Sequence, residues 1–354
     1  MEKVLVCLLA STRGHQLTFP SFKRQVLDEL NGDLALALLI DEKYDYSNPL
    51  WQHAKYRWTA PDFSDYGDAF DFAQRWLCQQ HAVPAADWRS MLRIKGIWQG
   101  GIRSPDPQPS RSAVLHFSRW LLLHSLQQDE ILDRYDRFVI TRSDLVWSCP
   151  HPPLSVLDRD AIWLPDGENY GGLNDRHLVV SRADVVNCLN VIEDIVLDPC
   201  RLYEEMKHHA GWNNEQLLAH HLGRKGLLHK VKRFPYVMYS ARSVHDESPT
   251  WSRGRYEGSV GHYVKYPREF EAASSYATVI RSRADWESRG WLSFTPTRAA
   301  SRTGSPLLRL RYRCERAYYR IVSSLRRPRR VERLAGSCKR ALRRTIGRLT
   351  RDRA

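Results

Sequence analysis

The apolar residues of this chain fall into short unbroken runs over most of its length and into helical repeats near its end. Val4-Leu5-Val6-Cys7-Leu8-Leu9-Ala10 is apolar at every position, which suits a parallel strand covered on both faces. The polar loop Ser11-Thr12-Arg13-Gly14-His15 follows, then a helical stretch over residues 21–30 and a second apolar run over residues 34–40 that stops at Asp41. This β-α-β order opens the nucleotide-binding half of an α/β protein. Val114, Phe117, Leu121 and Leu122 give residues 112–131 the spacing of an amphipathic helix, with Arg119 either toward phosphates or, the favoured expectation, on its surface. Ala161-Ile162-Trp163-Leu164 and Leu178-Val179-Val180 read as short strands, and residues 183–196 as one helix. Residues 42–111 are rich in Trp, Tyr and Asp, carry no single period and end in a proline-rich loop over 104–110. Insertions that bind an acceptor, or a loop over a site, suit them.

The most chemically pointed run is Phe138-Val139-Ile140-Thr141-Arg142-Ser143-Asp144-Leu145-Val146-Trp147, where buried-strand character gives way to an arginine and an aspartate two residues apart. Ligands gather at the carboxyl ends of such strands, and a carboxylate there can take a divalent ion or a sugar hydroxyl. An aspartate after a strand also commonly bonds its own turn. Downstream, Tyr170-Gly171-Gly172-Leu173-Asn174-Asp175-Arg176-His177 gathers charge around a glycine pair that lets a ligand or another backbone approach closely. Arg142, Asp144, Asp175, Arg176 and His177 together read as one wall of a site. No G-x-G-x-x-G or Walker sequence occurs, which disfavours dinucleotide and P-loop sites.

These segments, with Ile162-Trp163-Leu164-Pro165-Asp166-Gly167-Glu168, resemble bacterial surface-polysaccharide glycosyltransferases of the GT-A type over roughly residues 1–270. The resemblance implies a GT-A-like, Rossmann-type mixed sheet flanked by helices and a nucleotide-sugar donor. It implies that Arg13 meets the diphosphate, that Asp41 meets the ribose or base, and that Gly171 and Gly172 line the donor. It also implies a divalent metal, Mn or Mg, bridging the diphosphate from an Asp-x-Asp after a central strand. Here Arg142 replaces the first aspartate. Asp144 is left as the metal ligand, His245 or His262 is the late histidine that would complete the shell, and Arg142 can itself neutralise phosphate.

The base that deprotonates the acceptor hydroxyl is Glu215 or Asp175 on the same resemblance. In Trp212-Asn213-Asn214-Glu215-Gln216-Leu217-Leu218 an asparagine can cap a helix with Glu215 in its first turn, where a carboxylate also simply complements the dipole.

Charge adds a second region. The chain of 354 residues carries 54 Lys+Arg against 40 Asp+Glu, a net charge of +14. Eighteen of the basic residues and only three acids, Glu315, Glu332 and Asp352, lie in residues 301–354, so that tail carries +15 and residues 1–300 carry −1. Leu307, Leu310, Cys314, Ala317, Ile321 and Leu325, and after Pro328 the series Val331, Leu334, Cys338, Ala341, Ile346 and Leu349, recur at helical spacing. Two basic amphipathic helices suit the interface of an anionic membrane, each basic residue contributing about 1 kcal/mol. An apolar stripe would be wasted on phosphate contacts alone, so nucleic acid is the weaker partner. The domains expected are thus a glycosyltransferase domain over residues 1–300 and a tail over 301–354.

Seven cysteines without a C-x-x-C pair argue against a zinc site or disulfide framework and suit a reducing cytosol. No apolar run approaches the ~18 residues that cross a bilayer. The expected place is the cytoplasm, peripheral on the inner face of the cytoplasmic membrane, with a cell-surface glycan or lipid-linked precursor as acceptor. The competing expectation is a non-catalytic scaffold or nucleic-acid binder acting through the tail.

Overall fold

The computed structural model describes residues 2–108, 110–208, 211–244 and 253–288. The chain divides into two units, Met1–Phe294 and Thr295–Ala354. The basic tail lies outside the described residues, as does His245.

The strands are β1 Val4–Ala10, β2 Asp33–Ile40, β3 Tyr56–Pro61, β4 Arg137–Thr141, β5 Leu145–Trp147, β6 Ile162–Asp166, β7 Leu178–Ser181, β8 Val231–Pro235, β9 Met238–Arg242, β10 Arg255–Glu257 and β11 His262–Val264. The α-helices are α1 His15–Phe22, α2 Pro49–His53, α3 Tyr66–His81, α4 Ala113–Gln128, α5 Arg182–Leu189, α6 Val191–Val196, α7 Pro199–Met206, α8 Asn214–Arg224, α9 Pro267–Ala277 and α10 Arg283–Ser288.

Seven strands form the main sheet in the order β3-β2-β1-β4-β7-β6-β8, and four form a smaller one, β10-β11-β9-β5. In the main sheet β1 pairs in parallel with both β2 and β4, while β7 runs antiparallel to its neighbours β4 and β6. This is the mixed sheet flanked by helices expected of a GT-A-like fold. Both faces of β1 are covered, which explains its unbroken apolar run. Leu5, Cys7 and Leu9 enter the core that holds residues of α3, α4, α5, α6 and α8, whereas Val4, Val6 and Leu8 enter the core shared with α1, α2 and α10.

Several local expectations change. The first helix starts at His15 rather than residue 21, because Gly14 takes the left-handed conformation (φ 74°) that ends the loop. It passes into a π-helical turn, Lys23–Asp28, soon after the internal Pro20, whose ring cannot donate to the helix ladder. The run from Phe138 to Trp147 gives way at Arg142 as expected, but strand structure resumes at Leu145. The break spans residues 142–144, and the two halves serve different sheets. Residues 183–196 are likewise two helices, α5 and α6, meeting at Asn190. Residues 42–111 supply an edge strand and α3, bury Trp88, Met91 and Trp98 in the larger core, and bring Asp62, Tyr66, Ile97, Ser110 and Arg111 to the lining of a cleft.

Candidate active site

The order of strands in the sheet changes direction between the parallel neighbours β1 and β4, and their carboxyl ends open a crevice. Two loops are tied together there. Ser143 Oγ donates to the carbonyl oxygens of Ser11 (2.8 Å) and Arg13 (3.0 Å), and Thr18 Oγ1 donates to Ser143 O at 2.6 Å. A cleft of about 690 Å³ opens over this knot, a size suited to a small-molecule ligand.

At its floor lies Asp144, nearly inaccessible to solvent. Arg142 grips it bidentately, Nε donating to Oδ1 at 3.0 Å and Nη2 to Oδ2 at 2.8 Å. Arg13 Nη2 and Arg242 Nη1 each donate to the same Oδ2 at 3.3 Å. The second sheet brings Arg242 in. Leu145 pairs with Ser240, and Ala241 N donates to the Asp144 carbonyl, so the end of β9 sits over the aspartate. Burial alone would raise the Asp144 pKa, but the guanidinium groups of Arg142, Arg13 and Arg242 hold it well below the usual carboxylate range. Lys265, one residue beyond β11, is also in the cleft lining. Burial and the charges of Arg142, Arg242 and Arg176 push its pKa down to about 7, against the opposing pull of Asp144.

The other wall carries carboxylates. Asp175 and Glu215 both line the cleft and both are buried. Asn213 caps α8 by accepting from Gln216 N (2.8 Å) and donates its amide to Tyr170 O (3.0 Å), which ties the helix start to the glycine-containing loop. Leu173 N donates to Glu215 O at 2.9 Å. Burial and the nearby Asp175 charge push Glu215 up to about 8. Arg119 is fully buried and donates Nη2 to the Asp175 carbonyl at 2.8 Å, so it is neither a surface residue nor a phosphate ligand. Arg176 also lines the cleft, paired with the buried Glu269, bonded to Tyr236 OH at 3.1 Å and lying 4.6 Å from the Tyr266 ring.

Arg13, Arg142, Asp144, Asp175, Arg176 and Glu215 thus share one cleft. The other candidates among the described residues lie elsewhere. Asp41 is exposed in an adjoining hollow with Glu42, Lys43 and Pro61, and accepts from Lys43 N. Gly171 and Gly172 pack against the start of α8, Gly171 against the Gln216 side chain and Gly172 against the backbone of Glu215 and Gln216, so the close approach Gly172 permits is that of a backbone. His177 turns away from the cleft, and its ring meets Trp147, Phe234 and His151 in the smaller core. His262 is buried against Tyr239. Arg242 and Lys265 escaped the sequence reading. The available signal was that Met238-Tyr239-Ser240-Ala241-Arg242 repeats the pattern of a short strand ending in arginine.

The donor set around Asp144 does not fit a divalent metal. Both of its oxygens already accept from guanidinium groups, and among the described residues no group of three or more His, Cys, Asp or Glu is placed to hold an ion. Among the described residues no helix is long and apolar enough to cross a membrane.

No family model matches the chain, and no curated protein matches it. Among solved structures, it is similar to a candidate nucleotide-diphospho-sugar transferase from Desulfovibrio desulfuricans G20, at 11% identity and a TM-score of 0.30, over 66% of this chain and 80% of that one. A likeness so loose leaves function to be argued from the site.

Proposed function

We propose that this chain is a glycosyltransferase that moves a sugar from a nucleotide-diphosphate donor to a hydroxyl of a surface glycan or lipid-linked precursor. The observation that carries this is the joining, in one cleft at the β1/β4 crevice, of a cationic floor (Arg13, Arg142, Arg242, Lys265) to a buried carboxylate pair (Asp175, Glu215). The floor suits a diphosphate, whose oxygens gain charge as the glycosidic bond to the donor breaks, and fixed cations there stabilise the departing group. The pair suits the other half of the reaction. Glu215, raised to about 8, keeps its proton near neutral pH, and the base that takes the acceptor hydroxyl's proton as that oxygen attacks the sugar is assigned to its cleft neighbour Asp175. Arg119 fixes the Asp175 backbone from beneath. Asp41, beside the adjoining hollow, would meet the ribose or base, and the basic tail, by its sequence pattern, would hold the enzyme at an anionic membrane surface where such acceptors reside.

The test is a panel of UDP-, GDP-, CMP- and dTDP-sugars against the full chain, read by thermal shift and by release of free nucleotide. One donor class should bind and be slowly hydrolysed, and the double variant Asp175→Asn with Glu215→Gln should bind it without turnover. Silence across the panel overturns the proposal.

A further inference from the structure

The geometry points to a diphosphate site that works without a divalent metal: we infer that Arg13, Arg242 and Lys265, organised by Arg142 and Asp144, do for the donor's phosphates what a metal ion would otherwise do. This rests on the transferase reading and deepens it.

Three arginines and a lysine arrive at one point from four separate elements: Arg13 after β1, Arg142 after β4, Arg242 at the end of β9 and Lys265 after β11. Asp144 lies among them and accepts from the three arginines. Neighbouring Arg176 does not share this carboxylate, because Glu269 compensates it. Two of these arginines, Arg142 and Arg242, share the one carboxylate with little exposure to water, so the group they form with Asp144 has more positive than negative charge where burial weakens screening. Such an arrangement is costly unless an anion completes it. An incoming divalent cation would meet guanidinium groups on both oxygens of its one carboxylate and add to the excess. A diphosphate would remove it.

The hydrogen-bonding capacity agrees. Arg242 Nε is buried and has no hydrogen-bond partner, although Nη1 of the same group holds Asp144. Arg13 is about half exposed, with a side-chain accessibility of 48%, so its guanidinium is within reach of a ligand in the cleft while Arg142 holds the aspartate from the other side. Guanidinium groups present paired donors that match phosphate oxygens, which an isolated aspartate with a metal would otherwise have to bridge. Asp144 then acts as the anchor that holds the arginines apart and aimed, and it does not itself touch the ligand.

The experiment titrates UDP, GDP, ADP and dTDP into the full chain after treatment with EDTA, and again with manganese or magnesium added, by calorimetry. At least one nucleoside diphosphate should bind in EDTA, with an affinity that added metal changes by no more than about twofold. The Arg13→Ala variant, whose side chain reaches solvent and whose loss should not unfold the chain, should weaken that binding by about tenfold or more, and leave binding of the parent nucleoside unchanged. Arg242→Lys, which keeps the charge and loses the fork, should weaken it too. Binding that appears only with metal overturns the inference and leaves the transferase reading standing. Absence of any binding with or without metal overturns both.

Discussion

Gly172 has no room for a side chain because the carbonyl oxygen of Glu215 occupies the space: a Cβ there would lie 2.0 Å from that oxygen. The loop before Asp175 and the first turn of α8 are therefore locked together through backbone, reinforced by the Leu173 N to Glu215 O bond at 2.9 Å. The obstacle is main chain, so Gly172→Ala must push α8 away from the loop. Turnover should fall by about tenfold or more while donor affinity, set on the opposite wall, changes little, and Tm should drop. Equal losses in donor affinity and turnover would mean that the two walls are not separable.

The carboxylate pair predicts a pH signature in stability. Glu215 is raised from its ordinary 4.5 to about 8 by burial and by Asp175. Between those values the native state keeps a proton that the unfolded chain releases, so this group's contribution is fully present below about 4.5 and is lost as pH rises through about 8. Glu215→Gln cannot lose a proton. Its Tm should match the parent near pH 5 and exceed it increasingly toward pH 9. A constant Tm difference across that range would show that Glu215 titrates normally.

Asp144→Asn should be destabilising by about 3–5 kcal/mol, since removing one partner leaves Arg142 and Arg242 buried with uncompensated charge. The same variant should gain more from an anion. Millimolar UDP or inorganic diphosphate should raise its Tm by more than it raises the parent's. A smaller gain in the variant would place the phosphate contacts away from these arginines.

How far this site could be read in advance follows from sequence separation. Arg13, Arg142, Asp144, Asp175 and Glu215 were visible because each ends or begins an element with a strong local signal: a continuous apolar strand, or a capped helix. The same logic misplaced His177, since a residue flanking β7 faces one side of the sheet or the other according to a register that the sequence does not display. Arg119 was misjudged because a charged residue on an amphipathic helix ordinarily faces water, and nothing local announces that the Asp175 carbonyl, 56 residues away, will accept its hydrogen bond. Arg242 and Lys265 depend on a second sheet of strands three to five residues long, too brief to show a period. Residues 42–111 lacked a clear pattern for a related reason. Many of their aromatic residues are core, but they are carried on an edge strand, 3₁₀ turns and loops as well as on α3.

Lys265 makes donor affinity depend on pH in a direction that can be checked. Its ordinary pKa of 10.5 falls to about 7 through burial and the charges of Arg142, Arg242 and Arg176, with Asp144 opposing. An ammonium is therefore present below pH 7 and is replaced by a neutral amine above it, and a bound diphosphate, by supplying negative charge, should draw a proton back onto it. A nucleotide sugar is the right probe because its diphosphate is a diester and does not itself titrate between pH 6 and 8.5. Glu215 also changes charge in that range, so the measurement belongs in the Glu215→Gln background. Affinity there should fall by up to about tenfold from pH 6 to 8.5, and calorimetry in buffers of different ionisation enthalpy should show proton uptake at the upper end. Adding Lys265→Arg, a side chain that keeps its charge throughout, should flatten the profile and abolish the uptake. A pH profile unchanged by that substitution would remove Lys265 from the phosphate site and leave the floor to the arginines.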